Sequence, residues 1–124
     1  MEITRAYVKS ILPHRDPEGH KGTFGKVYCL CGAVGYTGAP VLAASAAVRS
    51  GSGLVFLGVP KDIWPIVAVK CDSAMPSPLP SQQGKLALAA EDAVRAQIDG
   101  CDAVLIGCGM GRSEESDALT RRLI

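Results

Sequence analysis

Long apolar runs are missing from this chain. No stretch approaches the roughly 18 apolar residues that a membrane-spanning helix needs, so no such helix is expected. Runs of one charge are missing as well. The net charge is +1, both signs are spread along the chain, and adjacent basic pairs are short, as at Arg121-Arg122. Nucleic acid and anionic membranes are therefore not expected as partners. The N-terminus has neither an apolar signal core nor an Arg/Ser-rich transit character, which points to the cytoplasm. There is no C-x-x-C pair, and the cysteines (Cys29, Cys31, Cys71, Cys101, Cys108) are odd in number. Neither a disulfide framework nor a zinc site is suggested, and no metal ligand is assigned. The dinucleotide pattern G-x-G-x-x-G and the P-loop pattern G-x-x-x-x-G-K-[ST] are both absent.

What is present is ordinary globular composition, 48% hydrophobic and 20% charged over 124 residues, enough for one domain or part of one. Ile3, Val8, Ile11 and Leu12 have roughly helical spacing, and Pro13 ends the run. His14 to Lys26 is polar and Gly-rich, hence a loop. Val27-Tyr28-Cys29-Leu30-Cys31 is a near-continuous apolar run, as expected of a strand covered on both faces. Cys29 and Cys31 alternate on it and are read as small buried hydrophobes in a reducing compartment.

Gly32 to Gly38 reads as a turn, with Thr37 placed to cap the next helix and Pro40 in its first turn. Leu42, Ala43, Ala46, Ala47 and Ser50 are expected to share the packed face of that helix, and Gly51 to stop it. Leu54 to Val59 reads as a second buried strand. Pro60 opens a short amphipathic segment through Val69 in which Pro65 sits awkwardly. Ala74 to Gly84, with Pro76, Pro78 and Pro80, reads as an exposed loop. Leu86 to Ile98 reads as a helix stopped by Gly100. Ala103 to Ile106 reads as a third strand, Gly107 to Gly111 as its turn, and Ser113 as the cap of a last helix with Glu114 and Glu115 in its first turn. Alternating strands and helices predict an α/β fold with a mainly parallel sheet between helical layers. Three strands and an unclosed last crossover suggest part of a larger domain.

In open parallel sheets ligands bind at the C-terminal ends of strands. The loops Gly32–Gly38, the link after Val59 and Gly107–Gly111 qualify. Glycine permits close backbone approach, and helix N-termini offer free amides to phosphates. Gly107-x-Gly109-x-Gly111 reads equally as a plain turn or a phosphate cradle, and Gly35-Tyr36-Thr37-Gly38 reads first as a turn with a helix cap and second as a cradle. His14 and His20, with Lys21 and Lys26, are the titratable groups of the first loop, and each has a solvated-surface reading beside a ligand-binding one. No Ser–His–acid set and no carboxylate pair stands out. The residues alone indicate a unit that binds a nucleotide or phosphorylated small molecule.

His20-Lys21-Gly22-Thr23-Phe24-Gly25, with Arg15-Asp16 before it, resembles the ADP/ATP-dependent (S)-NAD(P)H-hydrate dehydratases, which are ribokinase-like. Gly35-Tyr36-Thr37-Gly38-Ala39, Arg49-Ser50-Gly51-Ser52-Gly53-Leu54-Val55 and Gly107-Cys108-Gly109-Met110-Gly111 fit the same family in the same order. The resemblance implies an αβα three-layer fold and, for residues 1–124, the N-terminal half of a single dehydratase domain. It implies repair of hydrated NADH or NADPH (NADHX, NADPHX) with ATP or ADP and Mg2+. The nucleotide phosphorylates the hydroxyl, and loss of that phosphate restores the double bond. It implies a homo-oligomer. It places Ala39, Gly107 and Gly109 against the hydrated dinucleotide, and makes His20, Lys21, Gly22, Thr23 and Gly38 candidates for a loop shaping the entrance to that site. The sequence departs from the family at Cys108, where the family has proline, and at Pro40, where alanine is common. It has no His-Pro-Gly-Glu and no Gly-Gly-Thr-Gly-Asp segment, whose aspartate is the family's catalytic base. The expected catalytic residue thus lies outside these 124 residues, which should not turn over by themselves. A non-catalytic nucleotide-binding or self-associating α/β module is the alternative.

Overall fold

The computed structural model describes residues 2–124. A short helix, α1 (Arg5–Ile11), is capped by Thr4, whose side chain accepts from the Tyr7 amide at 3.2 Å. It buries none of its residues, and Ile3, Val8, Ile11 and Leu12 stay exposed. The next elements are β1 (Lys26–Leu30), α2 (Gly38–Arg49), β2 (Leu54–Pro60), α3 (Trp64–Lys70) and β3 (Met75–Leu79). A small antiparallel pair, β4 (Ser81–Gln82) with β5 (Lys85–Leu86), precedes α4 (Glu91–Ile98), β6 (Ala103–Ile106) and α5 (Glu114–Leu123).

The main sheet runs β3-β2-β1-β6 and is parallel throughout, with Leu30 level with Gly58 on one side and Ile106 on the other. α2 and α3 cover one face, where Val41, Ala44, Val48 and Val67 pack on Cys29, Cys31, Val55, Leu57 and Val59. α4 and α5 cover the other, where Val94 and Leu119 pack on Tyr28, Leu30 and Leu79. The expected α/β sandwich is thus present, with β1 central and covered on both faces, as its unbroken apolar run requires.

Several local expectations are corrected. Residues 75–79, expected as an exposed loop, form the edge strand β3. The prolines explain how. Pro76 and Pro78 share one parity, so their missing amide donors point away from β2, where an edge strand needs none. On that outer side the Pro76 carbonyl accepts from Trp64 Nε1 at 3.0 Å. The expected helix over 86–98 begins only at Glu91, after a 3-10 turn at Leu88–Ala90, because Lys85 and Leu86 are drawn into pairing with β4. In α2, Leu42 is 73% exposed and Ala46 also faces out, so the packed stripe is Pro40, Val41, Ala43, Ala44, Ala47 and Val48. Thr37 makes no side-chain cap, since it already has helical backbone angles.

Other expectations hold. Pro40 sits in the first turn of α2, whereas the segment expected to open at Pro60 begins only at Trp64, with Pro65 accommodated in its first turn. Gly51 (φ +102°) ends α2, with its amide bonded to the Val48 carbonyl and the Ser52 amide to that of Ala47, a Schellman end. Ser113 caps α5 in a reciprocal box with Ser116.

The two glycine-rich signatures His20–Gly25 and Arg49–Val55 fasten to each other. Gly53 donates to the carbonyls of Phe24 and Gly25 at 3.0 Å, and a Cβ on Gly53 would overlap the Lys21 carbonyl. Arg15 lies 3.8 Å over the Phe24 ring and donates to the Gly51 carbonyl at 2.9 Å, tying the same junction to the end of α2. Gly53→Ala should therefore destabilise the chain by about 3 kcal/mol through backbone overlap, read as a fall in the urea midpoint at unchanged m.

On the α4–α5 side, Glu91 accepts from Arg122 at 2.9 Å and Arg95 at 3.0 Å, and these bonds, Arg122 foremost, hold its carboxyl below the ordinary value of 4.5. A depressed folded-state pKa stabilises above the unfolded value and loses that contribution as pH falls through the folded one. Glu91→Gln should lower Tm relative to wild type at pH 7, and the two melting curves should converge as pH drops below 4.5.

Candidate functional site at the β1–β6 crevice

The direction of the chain defines the site. From β1 it proceeds through α2 to β2 and through α3 to β3, always one way. It then returns through α4 on the opposite face to β6, beyond β1. The loop after β1 leaves for one face of the sheet and the loop after β6 for the other, so a crevice opens between them at the strands' C-terminal ends. This is the topological switch point at which open α/β sheets bind ligands.

Both loops are shaped by glycine. Gly32 (φ +88°) turns the chain where a Cβ would stand 2.8 Å from Ile63 Cδ1 and 3.0 Å from Pro40 Cγ. Its amide donates to the Cys108 carbonyl at 2.9 Å, while Gly107 donates to Leu30 at 3.2 Å, so the two loops continue the β1–β6 pairing past the strands. Gly109 (φ +68°) rests on the start of α2, where a Cβ would come 2.5 Å from Ala39 Cβ and 3.1 Å from Tyr36 Cβ. At Gly35, Gly38 and Gly107 a Cβ would meet nothing within 4 Å, so this backbone borders open space. Of the expected site residues, Gly38, Ala39, Gly107 and Gly109 are thus brought together on one lip.

Two helices begin at this edge, and they differ electrostatically. α5 carries Glu114, Glu115 and Asp117 in its first turn, which occupy its positive end. α2 has no acidic residue in its first turn, so its 12-residue dipole faces the crevice uncompensated. Two residues not singled out from the sequence join this lip. Tyr36 is 57% exposed beside Gly109, and the Lys85 stem crosses Gly111, 3.3 Å from where a Cβ would be. Tyr36 carried a signal, an exposed aromatic between glycines. Lys85 carried none, because its place depends on the β4–β5 pair.

His20, Lys21, Gly22 and Thr23 are placed apart from Gly38 in this chain. They lie at the N-terminal ends of β1 and β2, separated from the crevice by about 13 Å of strand rise. His20 Nδ1 accepts from the Gly22 amide at 3.0 Å and caps a 3-10 turn, Lys21–Thr23. Within this chain the segment fastens β1 to β2 and does not approach the crevice. A cleft of about 610 Å3 opens at that same end, lined in part by His14, Arg15 and Asp16. It lies at the wrong end of the strands for a switch-point ligand, and its Arg15 is already engaged. Lys26, a candidate anion ligand, begins β1 there, and its amide donates to Asp102 Oδ2 at 2.7 Å.

Among the described residues no group of three or more His, Cys, Asp or Glu side chains stands ready to hold a metal ion. No helix of the described residues is long and apolar enough to cross a membrane.

A doubly covered parallel sheet with glycine loops at its switch point defines an α/β fold with a candidate ligand crevice. A family model described as NAD(P)H-hydrate dehydratase matches residues 27–124, and the chain belongs to that family. It is 37% identical, over 98% of its length, to the bifunctional NAD(P)H-hydrate repair enzyme of Moorella thermoacetica, of which it covers 23%. The fold is that of a ribokinase-like superfamily protein from Enterococcus faecalis, with TM-score 0.78 at 19% identity over 98% of this chain and 39% of that one. It is similar also to the ADP/ATP-dependent NAD(P)H-hydrate dehydratase of Bacillus subtilis, co-crystallized with ATP/Mg2+ (TM-score 0.73, 29% identity, 95% of this chain, 40% of that one). The chain therefore spans well under half the length of these proteins.

The lip itself can be probed by stability. Gly109→Ala combines a left-handed backbone with overlap on Ala39 and should cost about 3 kcal/mol. Gly35→Ala has the same backbone constraint but open space and should cost about 1–2 kcal/mol. Chemical denaturation of the two variants checks the order.

Proposed function

We propose that this chain supplies the dinucleotide-facing part of an ADP/ATP-dependent NAD(P)H-hydrate dehydratase site. The observation that carries the reading is the convergence of Gly38, Ala39, Gly107 and Gly109 at the switch point in a chain of that family. The hydrated nicotinamide dinucleotide lies along the crevice. Its pyrophosphate meets the uncompensated start of α2, and the bare backbone at Gly107 lets the ring approach closely. Tyr36 offers a stacking face and Lys85 a cation to the same ligand.

The phosphate donor and the catalytic base come from sequence of the kind the relatives carry outside the matched region. These residues therefore bind and orient the substrate, and nothing here removes its proton. Function in the cytoplasm and assembly into a homo-oligomer belong to the same proposal. A strand joined to α5 by a right-handed crossover would pair along the free edge of β6, where Val104 is 40% exposed. That free edge also favours a second reading, a self-associating α/β module, in which a second copy covers it. Titration with NADH hydrate, read alongside sedimentation, separates the two: the module dimerises but does not bind the hydrate.

The test is titration of the folded chain with NADH hydrate, alongside absorbance at 340 nm with ATP or ADP and magnesium. Binding without turnover is expected. Gly38→Asp should weaken binding at least tenfold by placing an acid at the start of α2. A folded chain that fails to bind the hydrate, or that binds it equally well after Gly38→Asp, overturns the proposal.

A further inference from the structure

Two of the five cysteines meet inside the crevice. Cys31 follows the last residue of β1 and is fully buried, and Cys108 sits in the loop after β6 and is exposed. Cys108 is a near neighbour of the Cys31 thiol. The pairing of Gly32 with the Cys108 carbonyl at 2.9 Å fixes the two backbones side by side. Leu30 and Ile106 are level neighbours in the parallel sheet, so Cys31 and Cys108, offset by one residue, lie about 6 Å apart, within the span a disulfide bridges.

No other pair among the described cysteines is placed this way. Cys29 and Cys31 are two apart on one strand, near the upper limit of that span. Cys71 packs with one face of the sheet and Cys101 with the other.

We propose that Cys31 and Cys108 form a reversible dithiol–disulfide site that locks the two loops of the crevice together. The exposed partner reacts first. The Cys108 thiolate attacks a small-molecule disulfide, forms a mixed disulfide and releases one thiol. The Cys31 thiol, giving up its proton to solvent, then attacks the Cys108 sulfur and expels the second thiol. The protein loses two hydrogens and two electrons, and the small disulfide becomes two thiols. Burial raises the Cys31 thiol pKa, so it is a poor first nucleophile and reacts by proximity. The other contacts of Cys31 are apolar or thiol, and no cation from a facing element offsets that burial. The bond would hold Gly107 and Gly109 against the start of α2, where the reduced loops are joined only by hydrogen bonds and packing. With Cys108 exposed, the bond is reachable from the surface and belongs to the labile class.

The chemistry of the pair is independent of any ligand. Only its consequence for dinucleotide binding rests on the function proposed above. The experiment is incubation of the chain with excess oxidised glutathione, then non-reducing peptide mapping by mass spectrometry. A Cys31–Cys108 linked species, lighter than the reduced protein by two hydrogens, reversed by dithiothreitol and raising Tm, is expected. Cys108→Ser should abolish it and leave Cys31 reduced, and Cys31→Ser should stop the reaction at a stable glutathione adduct on Cys108. Circular dichroism confirms that both variants fold. A stable adduct on Cys108 in the wild type, or no reaction there, overturns the inference. Failure of NADH hydrate to bind leaves it untouched, so the two proposals fail separately.

Discussion

The structure depends on the double pairing of β1. It is the only strand of the main sheet that follows one crossover direction on one side and its reverse on the other, with β2 and β6 as neighbours. Its side chains feed both cores, Cys29 (with Cys31 just beyond the strand) on one face and Tyr28 and Leu30 on the other. Burying both faces of a single strand demands an unbroken apolar run, which residues 27–31 supply. Because the loops after β1 and β6 leave for opposite faces, the same pairing opens the crevice. Site and core are consequences of one topological choice.

The two ends of the sheet then perform different work. At the N-terminal end the glycines serve packing: Gly53 admits the Lys21 carbonyl, and Gly51 ends α2 beneath Arg15. At the C-terminal end Gly109 serves packing, but Gly35, Gly38 and Gly107 border open space. A glycine required by a neighbouring backbone is explained by the fold. Gly35 and Gly107 are required by their left-handed backbones, while at Gly38 neither a neighbour nor the backbone angle demands glycine, and all three leave room beside the chain. That difference separates motifs that look alike in sequence, and within this chain the His20–Gly25 segment fastens β1 to β2.

Cysteine at 108 fits the same picture. A proline there would fix the backbone angle, whereas cysteine leaves the turn to be held by Gly32 and Leu30 through hydrogen bonds. The loop that faces the open crevice is thus held by pairing along β1 and by Gly109 on α2, and both restraints belong to the topology.

Sequence by itself determined the layered α/β class, strands β1, β2 and β6, the helix ends at Gly51 and Ser113, and the glycine loops, since each follows from local periodicity or from backbone freedom at single residues. Tertiary structure decided the rest. Residues 75–79 became a strand because only pairing with β2 reveals that their prolines share an outward parity. Lys85 reached the lip because a two-residue strand pair overrode helix propensity. The switch point, the exile of His20 to Thr23 and the meeting of Cys31 with Cys108 all depend on strand order. Local sequence carries no record of it, because the neighbours β1 and β6 are joined across some seventy intervening residues and by contacts on both faces of the sheet.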